Sequence, residues 1–223
     1  MLSTLRALWQ ADGAFPSGSF AFSYGIEGII ALRHGLDARE LKRLVTAALT
    51  HRWASYDRVA LLRAFRCNGD LAVIATVDRE VEASTLVENL RAGSRRNGAS
   101  FLASHARIGN DLAAILRDAV RSGECLGHIA VMQGAVWCSV GLDENLAQLT
   151  SGYTVASGLI TAAIRLGAVG ALQGQEVLAD CLPLIEQLTM NEMRPDTELE
   201  SFAPFLDVAA ARHAQADLRL FAN

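Results

Sequence analysis

Apolar residues recur at intervals of three and four along nearly the whole of this 223-residue chain. The spacing is clearest at Leu41, Val45, Ala48 and Trp53, which fall on one side of a helix. Residues 146–169 repeat the pattern in a more apolar form, and no segment shows the alternation that is typical of a half-buried strand. The chain is therefore predicted to be all-α, a single bundle of about nine or ten helices.

Capping residues indicate where several helices begin. Asp37 and Glu40 have the spacing of a capping box, and the helix they open is predicted to continue to Asn68-Gly69. Asp70 and Asp143 are further candidate N-caps. The remaining patterns predict helices over residues 3–12, 19–34, 85–97, 101–121, 127–140 and 175–189. Asn97-Gly98 is a candidate break and Pro183 a candidate kink. In the helix that Asp70 opens, the predicted solvent-facing residues are Asp78, Arg79, Glu80 and Glu82.

The composition bears on where such a chain works. It is 51% hydrophobic with a mean hydropathy of +0.23, yet its most apolar stretch, 153–172, is interrupted by Arg165 and three glycines. No run reaches the roughly 18–20 uncharged apolar residues of a membrane span, and no signal-peptide pattern opens the sequence. We expect a cytoplasmic protein, not associated with a membrane, that spends part of its apolar surface on other protein chains.

Several functional classes are disfavoured by residue usage. The net charge of −4 gives no electrostatic reason to expect nucleic acid. Lys42 is the single lysine and follows Leu41, so the Gly-Lys-Ser/Thr of a phosphate-binding P-loop is absent. Cys125 and His128 have helical spacing, but no second pair stands at ligand spacing, which argues against a structural zinc site. No nucleophile-elbow or zinc-protease motif occurs either.

The segment from Phe15 to Glu27 is rich in aromatic residues, and Pro16 and Gly18 punctuate it. Glu27 falls on the same helical stripe as Phe20 and Tyr24. A carboxylate buried there needs a cationic or N–H partner, for which Arg165 is a candidate; alternatively Glu27 lies at the solvent edge of the core.

Composition changes again after residue 190. Residues 191–223, called the C-terminal tail below, hold six acidic residues against three arginines and end in apolar and aromatic residues. Such a segment either orders on a partner or packs permanently on its own bundle. The predicted division is a helical domain over 1–190 and a tail over 191–223.

Three motifs in order resemble the UreF family of urease accessory proteins. The first is Pro16, Gly18, Ser19, Phe20, Ser23, Gly25, Ile26 and Glu27; the second lies within 159–178 around Ala163-Ile164-Arg165-Leu166 and Gly174-Gln175; the third is Ser201 to His213 with Leu218-Arg219-Leu220-Phe221. Because these motifs span nearly the whole chain, the resemblance is specific.

The resemblance implies a helical, non-enzymatic scaffold that bridges the UreG GTPase and UreD, also called UreH, on apo-urease during GTP-dependent nickel insertion. It also implies a homodimer, and that nickel and GTP are handled by the partner proteins, with no cofactor on this chain. The partner-binding residues it implies are Ser23, Tyr24, Gly25, Glu27, Arg165, Arg212, His213, Arg219 and Phe221.

Two other classes remain as alternatives. The first is an all-α enzyme that uses Glu27 as a general acid or base in an aromatic pocket. The second is a helical DNA-binding regulator, which the acidic balance and the lack of a basic recognition helix disfavour.

Overall fold

The computed structural model of the protein describes residues 1–17, 25–33 and 35–213. All regular secondary structure in these ranges is helical, which confirms the all-α prediction. The elements are α1 (Leu2–Ala11), α2 (Ile26–Arg33), α3 (Ala38–Ala48), a π-helix (Leu49–Asp57), α4 (Arg58–Arg66), α5 (Leu71–Ser84), α6 (Glu88–Arg107), α7 (Asp111–Ser122), α8 (Ile129–Ser139), α9 (Glu144–Arg165), α10 (Ala171–Met190) and α11 (Pro204–His213). Because α3, the π-helix and α4 follow one another without a break, the described ranges contain ten separate helices, as predicted.

The predicted caps are confirmed. The Asp37 side chain accepts from the N–H of Glu40, and the Glu40 carboxylate accepts from the N–H of Asp37, so both halves of the capping box form. Asp70 accepts from two backbone N–H groups of α5, and Asp143 accepts from the N–H of Leu146 at the start of α9. Local sequence therefore fixes these three helix starts.

The long helix opened by Asp37 reaches the turn at Asn68-Gly69 as predicted, but its middle third is a π-helix. In a π-helix each carbonyl accepts from the fifth following residue, so the helix is wider there and its register shifts. Nothing in the apolar spacing of residues 49–57 signals this change, because Leu49, Trp53 and Tyr56 are buried either way.

Two hydrophobic cores lie side by side in the bundle. The first is built by α4, α5, α6, α7 and α8, and its large members include Tyr56, Leu61, Leu62, Ile74, Phe101, Leu102, Leu116, Met132 and Trp137. The second is built by α2, α3, α9, α10 and α11, and includes Ile26, Ile29, Leu41, Val45, Leu49, Trp53, Ile160, Val177 and Ile185. The π-helix and α9 contribute residues to both cores, so these two elements join the halves.

Several predicted boundaries are wrong. Asn97-Gly98 does not break a helix, because α6 runs unbroken through both residues. Gly98 is required for packing: a Cβ there would overlap the carbonyl oxygen of Gly127. The break lies instead at Gly109, whose φ of +90° ends the run, so the predicted helix over 101–121 is two helices.

Two further predictions need correction. Gly25 has a φ of +90° and directly precedes α2, so the predicted helix over 19–34 begins at Ile26 as far as the described residues show. Asp78, predicted to face solvent, is fully buried inside α5 because its carboxylate serves as an internal hydrogen-bond acceptor. Pro183 lies inside α10, which extends from Ala171 to Met190.

None of the described helices combines the length and the apolar character that crossing a membrane would require.

Candidate partner-binding surface

The first and third motifs of the sequence, far apart along the chain, meet in the structure. Helix α2 packs against α11, and the contact is close because it is made by small residues. A Cβ at Gly28 would overlap the carbonyl oxygen of Ala209, and a Cβ at Gly25 would lie 3.5 Å from the carbonyl oxygen of Leu206. The α2–α11 pair is therefore one unit that joins the beginning and the end of the chain.

Glu27 lies within this unit. It occupies the first turn of α2, where a carboxylate is favoured by the helix dipole, and only 9% of the residue is exposed. Gly25 precedes the helix in a left-handed conformation that other residues rarely adopt. Both predicted site residues are thus positioned by the backbone of α2.

Arg165 is the last residue of α9 and is exposed, so the sequence-based description of an arginine inside an apolar helix is inexact. A cation at a helix C-terminus complements the helix dipole. Helix α9 also packs against α2. The pairing of Arg165 with Glu27 stays a prediction.

The other predicted site residues are placed only in part. Arg212 and His213 are the last two residues of α11, so their backbone is described and continues the α2–α11 unit. Ser23, Tyr24, Arg219 and Phe221 lie outside the described residues.

Helix α11 has two apolar faces. One face buries Leu206, Ala209 and Ala210, of which Leu206 and Ala209 belong to the second core. The other is exposed and carries Phe205 and Val208, and Phe202, which is 78% exposed, precedes the helix by two residues and continues the interval of three. We call these three residues the α11 stripe. Their helical spacing was readable in the sequence, but the burial of the opposite face was not.

Backbone hydrogen bonds attach the tail to the π-helix just before α11. The N–H of Glu200 donates to the carbonyl oxygen of Ser55 at 3.0 Å, and the N–H of Phe202 donates to that of His51 at 2.9 Å. The Ser55 hydroxyl donates in turn to the carbonyl oxygen of Glu200 at 2.7 Å. These three bonds hold the segment before α11 against the π-helix.

Charge also links α11 to the π-helix. Arg52 lies 3.6 Å from the Asp57 carboxylate and over the ring of Tyr56, and its positive charge acts on Asp207 of α11. Burial nevertheless raises the pKa of Asp207, with Arg52 opposing that rise. The guanidinium therefore offsets part of the cost of holding Asp207 at the edge of α11.

The spacing of Cys125 and His128 turns out to have a structural cause. Asp78 accepts from the N–H groups of Leu126, Gly127 and His128 at 2.6, 2.7 and 2.9 Å. The imidazole of His128 bonds Glu82 through Nε2 and Ser94 through Nδ1. These bonds fix the turn that enters α8.

Neither group of that pair is prepared to bind a metal. Burial lowers the pKa of His128, with Asp78 and Glu82 opposing, while both ring nitrogens are engaged in hydrogen bonds. Burial raises the pKa of the Cys125 thiol to about 11, so it stays protonated. Within the described ranges, no three His, Cys, Asp or Glu side chains gather as a metal site would require.

Comparison with known proteins finds relatives that match nearly the whole chain. The family model described as UreF matches residues 36–182. The chain is 32% identical over 228 residues to the urease accessory protein UreF of Trichodesmium erythraeum, covering 100% of this chain and 98% of that protein. It is 28% identical to UreF 1 of Brucella melitensis (98% and 92% covered) and 26% identical to UreF of Actinobacillus pleuropneumoniae (96% of each).

Proposed function

The chain belongs to the UreF family of urease accessory proteins, and on that basis we propose that it is a non-enzymatic scaffold in urease maturation. In this role it bridges the UreG GTPase and UreD/UreH on apo-urease for GTP-dependent nickel insertion. The scaffold is a cytoplasmic homodimer and binds no nucleic acid or membrane. GTP is bound by UreG, and nickel passes as cargo without a resident site on this chain.

The observation that carries the proposal is the α2–α11 unit. It brings two of the motifs together and presents the exposed apolar α11 stripe of Phe202, Phe205 and Val208 beside them. Exposed apolar side chains in a row are typical of a protein-binding surface. Glu27 lies in α2, Gly25 directly precedes that helix, and Arg212 and His213 end α11, which supports their assignment to one unit.

The tail contributes the second part of the proposed partner-binding surface. Its described part lies along the π-helix with Glu198, Glu200 and Phe202 exposed. We propose that Arg219 and Phe221, which follow in the sequence, contact UreD/UreH or UreG. Ser23, Tyr24 and Arg165 complete the set of partner-facing residues.

The alternative of an enzyme requires a substrate pocket at Glu27. One surface groove among the described residues is lined by residues 35–38 and Glu40 with Ala168, Val169 and Gln173, and another by Leu149, Tyr153, Leu182, Pro183, Ile185 and Glu186. Neither groove is lined by Glu27, so neither gives that carboxylate a substrate. Turnover of a small molecule by the purified chain alone, abolished by Glu27→Gln, would favour the enzyme.

The direct test places a charge in the α11 stripe. We expect Val208→Glu to lose binding to purified UreD/UreH or UreG from the same organism, measured by co-purification, because a buried unpaired carboxylate is costly at an apolar interface. The matched control is Val73→Glu, which changes a similarly exposed valine on α5. Both variants should keep the wild-type circular dichroism and melting temperature. Equal binding by Val208→Glu and wild type would refute this surface.

A further inference from the structure

Helix α1 reverses the usual distribution of polarity, because its exposed side is mainly apolar. Its polar side chains other than the exposed Thr4 face the bundle: the Ser3 hydroxyl bonds the Asp143 carboxylate at 3.0 Å, and Arg6 donates to the carbonyl oxygen of Gly141 at 3.2 Å. Its leucines face outward, with Leu2, Leu5 and Leu8 exposed by 61%, 59% and 64%. In an ordinary surface helix the apolar side packs on the core and the polar side meets solvent.

The inverted orientation is fixed by buried partners. Gln10 is buried, and its Oε1 accepts from Trp137 Nε1 at 2.8 Å and lies 3.0 Å from His105 Nε2. Because the indole N–H can only donate, the amide oxygen must face Trp137, and His105 must then carry its proton on Nε2. Rotating α1 to bury its leucines would break these bonds, so the leucines are held outside.

We infer that the outer face of α1, formed by Leu2, Leu5, Leu8 and Trp9, inserts into an uncharged apolar groove on a different protein chain. Helices bind in this way through residues spaced by three and four. The inference rests on the proposed scaffold role, and it adds a second contact surface to the α11 stripe.

The chemistry of the face selects this occupant. Arg6 is the one ionisable side chain in Leu2–Ala11 and is turned toward Gly141, so the outer face offers a partner no charge to pair with. An anionic membrane surface is disfavoured because amphipathic membrane helices carry basic residues on their polar face, whereas this chain has a net charge of −4.

A second copy of the chain is disfavoured by area. A helix of ten residues is only about 15 Å long, so a contact between two α1 helices involves a few side chains from each copy. A stable homodimer buries about 800 Å² per partner. A groove that encloses the leucines on several sides, on a protein that also contacts other surfaces of this chain, removes the shortfall.

The test uses Leu5→Glu and Leu8→Glu in the full chain, with Leu86→Glu as a matched control at an exposed leucine before α6. Purified UreD/UreH, UreG and apo-urease serve as probes. We expect at least roughly tenfold weaker binding of one probe by either α1 variant, since burying a charge at an interface costs more than 1.4 kcal/mol. Leu86→Glu should bind like wild type, and all variants should melt at the wild-type temperature.

Each other outcome overturns the inference. Unchanged binding of all three probes by the α1 variants refutes it while leaving the proposed function in place. A wild-type chain that binds none of the probes refutes the proposed function as well. A smaller oligomer for Leu5→Glu on size-exclusion chromatography would assign the face to a second copy, and binding of wild type to phosphatidylglycerol vesicles would assign it to a membrane.

Discussion

The backbone N–H of Phe202 donates to the carbonyl oxygen of His51 at 2.9 Å, and this bond between the tail and the π-helix involves no side chain. Phe202→Pro removes that donor, whereas Phe202→Ala keeps it and removes only an exposed ring. We expect the proline variant to be about 1 kcal/mol less stable than the alanine variant in urea denaturation. It should also be cleaved faster within residues 191–203 by a protease. Equal cleavage of both variants would mean that this hydrogen bond does not hold the tail.

Gly28→Ala tests the close packing of α2 on α11. An alanine inside a helix normally stabilises by about 1 kcal/mol relative to glycine. Here the new methyl group would overlap the Ala209 carbonyl, a backbone atom that moves only with α11. We therefore expect a net loss of about 1–3 kcal/mol in urea denaturation and weaker partner binding.

Gly13→Ala is the control for that substitution, because no atom lies within 4 Å of its added Cβ. A stabilised Gly28→Ala variant with full partner binding would contradict the packing described for the α2–α11 unit.

Asp78→Ala tests the buried acceptor of the turn before α8. Three backbone N–H groups lose their acceptor in this variant, so we expect a loss of about 3 kcal/mol or more in the free energy of unfolding. Asp78→Asn keeps one carbonyl oxygen, so its free energy of unfolding should lie between those of wild type and Asp78→Ala. Asp118→Ala, at an exposed ion pair with Arg121, should change stability by less than about 1 kcal/mol. A similar small effect at Asp78 would argue against the three hydrogen bonds.

His105 gives the protein a predictable acid sensitivity. Burial lowers the pKa of His105 to about 4, whereas the ring in an unfolded chain titrates near 6.5. The unfolded state therefore binds more protons between these values, and stability falls as the pH drops from 6.5 toward 4. Above pH 6.5 the contribution is fully present, and its total is roughly 3 kcal/mol.

The measurement compares urea denaturation of wild type and His105→Gln at pH 7.5 and pH 5. We expect wild type to lose more stability than the variant across this interval. The buried His128 contributes equally to both proteins, so the difference isolates His105. Parallel pH dependence in the two proteins would place the titration elsewhere.

Helix starts could be predicted from sequence because their causes are local. Asp37, Asp70 and Asp143 each bond backbone N–H groups two or three residues away, and the spacing alone reveals that. The burial of Leu41, Val45 and Trp53 follows in the same way from periodicity.

The errors concern residues whose roles depend on distant parts of the fold. Gly98 reads as a helix breaker, yet it is retained inside α6 because the turn at Gly127 passes against it. Asp78 reads as a solvent-facing charge, yet it serves backbone groups about fifty residues away. The outward direction of the α1 leucines was not predicted, since only the positions of Gly141, His105 and Trp137 explain it.

The candidate surface was only partly predictable for the same reason. The motifs identified Gly25, Glu27, Arg212 and His213, but the packing of α2 on α11 depends on the contact of Gly28 with Ala209. The attachment of the tail depends on the π-helix, which no residue pattern signals.

The route of the tail has a mechanical meaning. Met193 is buried in the first core and Ala203 in the second, so the segment between them connects the two cores. A chain cut before residue 191 would lose this link, and only the π-helix and α9 would then couple the unfolding of the two cores. A partner that binds the tail would therefore change the stability of both cores at once.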